Sequence, residues 1–235
     1  MTERSLHSIT ENLARIRYNI AEAAQRCGRN PAEIRLMAVT KTVPVPLVNH
    51  AVANGIDLLG ENRAQEMLEK YEGYHLDGVD LHFIGHLQTN KVKQVVGKVS
   101  IIHSVDRLGL AEEISRQSEK LGITTKVLME VNIGGEISKS GVMPREAEVF
   151  ARQIAQLKAI KLCGLMAIPP ICNKKAQIEG YFSQMQALTV DIKAKKIDNI
   201  TMEFLSMGMS DDYIHAIPYG ANILRLGSAI FGARS

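Results

Sequence analysis

Arg35-Leu-Met-Ala-Val-Thr-Lys41 is a run of apolar and β-branched residues that ends in one lysine. A strand buried on both faces reads this way, as a continuous apolar run rather than an alternation. The lysine stands at the tip of that strand. A central strand of this kind needs a sheet or barrel around it, and its amine needs something to hold.

Working outward, residues 5–28 carry Leu6, Ile9, Leu13, Ile16 and Ile20 at spacings of three and four, a helix closed by Gly28 and Pro31. It precedes the first strand and is therefore an addition to a strand-helix repeat. After Leu36–Thr40, further strands are expected at Ile56–Leu59, Leu81–Ile84, Ile101–Val105, Lys126–Val131, Lys161–Met166, Thr201–Leu205 and Ile223–Leu226. Helices are expected between them at Pro46–Ala53, Ala64–Tyr71, Lys91–Val99, Leu108–Leu121 (capped by Asp106), Arg145–Leu157, Gln177–Asp191 and Asp211–Ile217, with a last turn at Ala229–Phe231. Parallel strands require such crossovers. Eight strand-helix units in 235 residues predict one (β/α)8 TIM barrel domain over residues 1–235. A doubly wound open sheet is the competing reading. It would normally announce a dinucleotide site, yet no G-x-G-x-x-G follows the first strand and no G-x-x-x-x-G-K-S/T occurs.

Composition narrows the function classes. Apolar residues are 46% of the chain, ample for a large core, and the net charge of +3 is too mild to imply nucleic acid. Lys91 and Lys93 read as a solvated basic face. The N-terminus has no apolar signal core, and no run approaches the length of a membrane span. Cys27, Cys163 and Cys172 have no framework spacing, which predicts a reduced, cytoplasmic protein, with Cys163 a small buried thiol. The histidines and cysteines lack zinc-site spacing, so no metal is expected. There is no G-x-S-x-G elbow and no identifiable acidic couple.

In a barrel the C-terminal strand ends surround the active mouth. The residues there are Lys41, Asn62, His86, His103 with Ser104, Asn132, Met166 with Pro169, Ser206, Arg225 and Gly227-Ser228. Lys41 reads either as a rim lysine with its ammonium in water or as a desolvated amine able to form a Schiff base. Ser206-Met-Gly-Met-Ser210 and Gly227-Ser228 stand where these barrels often bind phosphate, or are ordinary tight turns. Arg225 interrupts an apolar strand; it either pairs with Glu203 or Glu130 or donates to a ligand in the mouth.

The chain resembles the pyridoxal phosphate homeostasis protein family, whose barrel is similar to the N-terminal domain of alanine racemases. The resemblance rests on Ala38-Val-Thr-Lys-Thr42, Gly60-Glu-Asn-Arg63, His82-Phe-Ile-Gly-His-Leu-Gln-Thr-Asn-Lys91, Ile102-His-Ser-Val-Asp106 and Val131-Asn-Ile-Gly-Gly-Glu-Ile-Ser-Lys-Ser-Gly141. It continues in order through Gly164-Leu-Met-Ala-Ile-Pro-Pro170, Ser206-Met-Gly-Met-Ser-Asp211 and Arg225-Leu-Gly-Ser-Ala-Ile-Phe-Gly232. It implies a fold-type-III barrel holding pyridoxal 5'-phosphate (PLP) as an internal aldimine on Lys41. It further implies phosphate held around Ser206 and Gly227-Ser228, Arg225 facing the pyridine nitrogen, Asn62 near the aldimine, and Ile84, His86 and Met166 around the ring.

The resemblance also implies a role in vitamin B6 balance and, indirectly, in amino-acid and keto-acid pools. No catalytic residue is expected. The alanine racemases' second base is a tyrosine from a C-terminal β-domain, which is not expected here because the chain ends at Ser235; Tyr213 and Tyr219 lie near the mouth without a hydroxyl placed opposite Lys41. Gly220-Ala221-Asn222 replaces the family's usual Gly-Ser-Thr, and Ser228 its usual Thr. The expected role is a monomeric, non-catalytic PLP carrier, with PLP-dependent apoenzymes as partners. A PLP-dependent amino-acid racemase is the rival, and a phosphorylated-sugar enzyme using a transient Lys41 Schiff base is the third reading.

Overall fold

The computed structural model describes residues 5–136, 138–172 and 174–233. Met1–Arg4 of the N-terminus, Ile137 of the glycine-rich loop and Ser235 lie outside the described residues. The chain runs through α1 (Leu6–Arg26), β1 (Arg35–Val39), α2 (Val45–Ala53), β2 (Leu58–Glu61), α3 (Ala64–Tyr71), β3 (Asp80–Phe83), α4 (Val92–Val95) and β4 (Ile101–Val105). It continues through α5 (Leu108–Leu121), β5 (Thr125–Val131), α6 (Ala147–Ala155), β6 (Ile160–Ala167), α7 (Lys175–Ala194), β7 (Ile200–Ser206), α8 (Tyr213–Ala216), β8 (Ile223–Leu226) and α9 (Ser228–Phe231). The strands pair in parallel in chain order and close, β8 against β1, into a barrel. This is the (β/α)8 architecture expected from the apolar runs, and it displaces the open-sheet reading.

Several boundaries differ from the sequence expectation. The helix expected over Lys91–Val99 is α4, reduced to Val92–Val95, with a 3-10 turn over Thr89–Lys91 before it and positive-φ Gly97 after it. Pro144 likewise starts a 3-10 turn ahead of α6, so that helix begins at Ala147. Asp106 does not cap α5: the N-cap is Arg107, without a side-chain cap. The Asp106 carboxylate instead accepts from Arg107 Nη1 at 2.6 Å.

Helix α1 begins with a Ser5–Ser8 capping box. Its buried stripe of Ile9, Leu13, Ile16, Ile20, Ala23 and Ala24 packs against α2, α8 and α9, over the β8–β1 side of the barrel. Each large apolar side chain so buried stabilises the fold by roughly 1.5–3 kcal/mol. Asn12 Nδ2 donates to Ile230 O at 3.0 Å, and Arg29 Nη1 donates to Ile217 O and Ala221 O at 2.7 Å each, tying the helix and the loop after it to the chain around β8. Among the described residues, no helix is long and apolar enough to cross a membrane.

Inside the barrel, Met37, Val39, Leu58, Ile84 and Ile223 form one apolar group and Ile101, Leu128, Cys163 and Met166 another, with Phe204 between them. His82, His103, Ser206 and Arg225 are also buried there. An otherwise apolar interior therefore carries a polar seam across β3, β4, β7 and β8.

Candidate functional site

The C-terminal mouth holds a cavity of about 460 Å³. Lys41 from the turn after β1, Asn62 after β2, Ile84 after β3, Arg225 on β8, and Gly227 and Ser228 beyond it all line this space. Three sequence candidates do not. Ser206 and Met166 are 0% and 1% exposed and lie beneath the mouth. Met166 pairs in register with Ser206, and Ser206 with Ile223, two positions before Arg225, so Arg225 stands above them toward the opening. His86 is turned to the rim, exposed, with Nδ1 3.5 Å from Ser140 Oγ and 3.9 Å from Asp106 Oδ2.

Lys41 sits in a tight turn closed by Val43 N–H donating to Thr40 O at 3.0 Å. The next residue, Thr42, has φ +61°, a left-handed conformation uncommon for a β-branched side chain, which costs roughly 1–2 kcal/mol. Neighbouring groups on α3 hold the turn. Thr42 N–H donates to Glu66 Oε1 at 2.5 Å. Lys70 Nζ donates to Thr40 O at 2.9 Å, Glu61 Oε1 at 3.2 Å and Glu66 Oε1 at 2.5 Å, so its three protons have three acceptors. Glu61, fully buried, also accepts from Thr40 Oγ1 at 2.7 Å and Tyr74 Oη at 2.6 Å. Burial pushes the Glu66 carboxyl up, but the hydrogen bonds from Lys70 and Thr42 outweigh it and hold it below its ordinary value. Burial, then the charge of Glu61, drives the Tyr74 phenol far up. Glu61, Glu66, Lys70 and Tyr74 are not among the strand-end candidates of the sequence. The only available signal was Glu66 and Lys70 at i,i+4 on a helix directly after Gly60-Glu-Asn62.

Asn62 follows Glu61 directly, and its Oδ1 is buried without a hydrogen-bond partner among the described residues. Gly85 permits this placement, because a Cβ there would overlap the Asn62 carbonyl oxygen.

On the opposite wall, Arg225 Nη1 donates to Ser206 Oγ at 2.7 Å and Nη2 to Ala167 O at 2.8 Å. Both acceptors are neutral. Glu203, a candidate partner from sequence, is exposed, and it is its backbone oxygen that accepts from Asn222 Nδ2 at 2.6 Å. Burial lowers Arg225 to about 10, with Asp212 and Glu130 opposing, so it remains charged at neutral pH. Glu130 is raised to about 7, first by burial and then by Asp106, with Arg225 opposing.

Behind Arg225, Ser206 Oγ lies 3.1 Å from His103 Nδ1, and His103 Nε2 lies 2.9 Å from His82 Nδ1. Burial holds both rings neutral: His82 is lowered to about 3 and His103 falls well below 6.5. Arginine can only donate, so Ser206 accepts from it and offers its own proton to His103 Nδ1. His103 then donates from Nε2 to His82 Nδ1. The chain of donors runs one way, from Arg225 into the barrel, and ends at His82 Nε2, which is buried without a partner among the described residues.

At the third edge, Ser210 Oγ accepts from Gly227 N–H at 3.4 Å and Ala229 N–H at 3.1 Å. Ser210, rather than Ser206, is therefore the serine of the β7 loop that meets the turn after β8 and lines the cavity. Asn222 uses its side chain within the backbone, accepting from Leu205 N–H at 2.8 Å through Oδ1. Tyr213 Oη, 3.2 Å from Asn19 Nδ2, is engaged with α1.

The sequence profile of the alanine racemase N-terminal domain matches residues 12–235. A protein of Aquifex aeolicus named pyridoxal phosphate homeostasis protein is 40% identical over 224 residues, covering 95% of this chain and 97% of the relative. The structure of PipY from Synechococcus elongatus with PLP bound superposes with a TM-score of 0.83 at 31% identity, covering 95% of this chain and 100% of that one. An alanine racemase of Clostridium difficile has a TM-score of 0.78 at 15% identity, covering 99% of this chain and 58% of that one, a likeness of fold alone.

Proposed function

Because this chain belongs to the pyridoxal phosphate homeostasis protein family, within the alanine racemase N-terminal domain fold, we propose that it binds PLP at the barrel mouth and serves PLP homeostasis without catalytic turnover. The observation that carries the reading is the shared cavity of Lys41 and Arg225, with the buried Asn62 Oδ1 lacking a partner among the described residues. Residues 1–235 act as one PLP-binding barrel domain.

The residues fit the cofactor's chemistry. Lys41 is the amine for its aldehyde, joined as a Schiff base. Arg225 donates to an unprotonated ring nitrogen, as a guanidinium held by Ser206 and Ala167 must. Ile84 and Asn62 wall the ring. Ser210 Oγ accepts from Gly227 and Ala229 N–H and keeps its own proton to donate, so its hydroxyl, with that of Ser228 at the turn after β8, suits the phosphate. When bound, PLP supplies a reactive aldehyde and an electron-withdrawing ring. An arginine at the nitrogen does not keep the ring protonated as a carboxylate would, which weakens carbanion stabilisation. The relatives' shared name, which describes homeostasis rather than a reaction, supports a carrier that passes the cofactor to PLP-dependent apoenzymes.

The test is incubation of the PLP-loaded protein with L-alanine and other L-amino acids in D2O. A carrier leaves the Cα proton in place. Rapid Cα deuteration with D-isomer formation, abolished by Lys41→Ala, overturns the non-catalytic reading in favour of a racemase.

A further inference from the structure

We propose that the Glu66–Lys70 pair of α3 is a positioning clamp for the Lys41 amine, an inference that rests on Lys41 being the PLP lysine. The pair grips both peptide groups that flank Lys41. Lys70 Nζ holds the carbonyl of Thr40 at 2.9 Å, on the peptide that enters Lys41. Glu66 Oε1 holds the N–H of Thr42 at 2.5 Å, on the peptide that leaves it. The two clamp groups are bonded to each other at 2.5 Å. The direction of the Lys41 Cα–Cβ bond is set by the orientation of those two peptides, so the pair fixes where the side chain starts.

The grip has a reason to exist. Thr42 occupies the left-handed region at φ +61°, and a β-branched residue stays there only when its surroundings hold it. Releasing Thr42 N–H lets the turn relax toward φ below zero and swings Lys41 with it. The clamp is also anchored below. Lys70 reaches Glu61 Oε1 at 3.2 Å, and the residue after Glu61 is Asn62, on the same cavity. One ammonium thus sets the β1 tip, the β2 tip and α3 in fixed relation. Lys70 and Glu66 side chains are 14% and 18% exposed, so water competes weakly for these bonds. Neither lines the cavity; they act through the backbone.

The experiment adds PLP to apoprotein and follows attachment at Lys41 by timed borohydride quenching and peptide mass spectrometry. Glu66→Ala removes the acceptor for Thr42 N–H and should slow attachment roughly tenfold or more, the scale expected of a misplaced reacting group. Glu66→Gln keeps an amide oxygen at that position and should restore most of the rate. Non-attached PLP affinity, measured in Lys41→Ala and in Lys41→Ala/Glu66→Ala, should be equal, because Glu66 holds Thr42 N–H and Lys70, while Lys70 keeps its own hold on Glu61 beside Asn62. The thermal midpoint of each variant separates positioning from loss of fold. Equal attachment rates in the wild type and Glu66→Ala overturn the clamp. A lower PLP affinity in the double variant than in Lys41→Ala also overturns it. Absence of attachment at Lys41 in the wild type instead overturns the underlying PLP reading.

Discussion

Arg225 Nη1 lies 2.7 Å from Ser206 Oγ, one strand away and one step below the cavity, and this bond links the mouth to the histidines inside the barrel. The serine supports the arginine rather than lining the cavity. Ser206→Ala should leave an Arg225 proton and His103 Nδ1 without partners in a fully buried place. Deleting one partner of a buried pair costs about 1–3 kcal/mol. Urea unfolding of the apoprotein should show a lower midpoint with an unchanged slope; an unchanged midpoint contradicts the assignment.

Stability should depend on pH through the same seam. His82, lowered by burial from 6.5 to about 3, stays neutral in the fold while the unfolded chain takes up a proton below pH 6.5. The fold therefore loses stability as pH falls from 6.5 toward 3, by about 1.4 kcal/mol per unit for each such histidine. Glu130 works in the opposite sense. Raised from 4.5 to about 7, it keeps a proton in the fold that the unfolded chain has released, so its contribution is lost as pH rises through that window. Glu130→Gln should gain stability relative to wild type between pH 4.5 and pH 8, by up to about 3 kcal/mol. Denaturant titrations at pH 5, 6, 7 and 8 measure the difference; a parallel pair of curves would falsify the Glu130 assignment.

Two glycines separate close approach from mere helix cost. Gly85→Ala forces a Cβ into the Asn62 backbone, which cannot give way as a flexible side-chain end would. It should destabilise by about 1–3 kcal/mol and weaken PLP retention, since Asn62 moves. Gly109 lies exposed in α5 with nothing within 4 Å of a built Cβ. Gly109→Ala should stabilise by about 0.5–1 kcal/mol. Paired thermal melts with PLP retention after dialysis read both.

The barrel was legible because buried parallel strands are apolar on both faces, so each strand left a run such as Leu36–Val39 or Ile101–Val105 in the sequence. Strand ends then nominated Lys41, Asn62, Arg225, Gly227 and Ser228, which line one cavity. Strand position alone does not fix depth. Ser206 and Met166 end their strands, yet the register sets them beneath Arg225. His86 follows Gly85, where the chain leaves the interior, and so points to the rim. The Glu61–Lys70–Tyr74 cluster was invisible because its members come from β2, α3 and the loop beyond. In sequence they look like ordinary surface charges, although Glu61 is fully buried.

The most direct measurement is borohydride reduction of the PLP-loaded native protein followed by peptide mapping. A phosphopyridoxyl group on the peptide containing Lys41, absent after Lys41→Ala, is the predicted result. A loaded protein whose Lys41 remains unmodified, or whose label sits on another lysine, contradicts Lys41 as the residue that holds the cofactor.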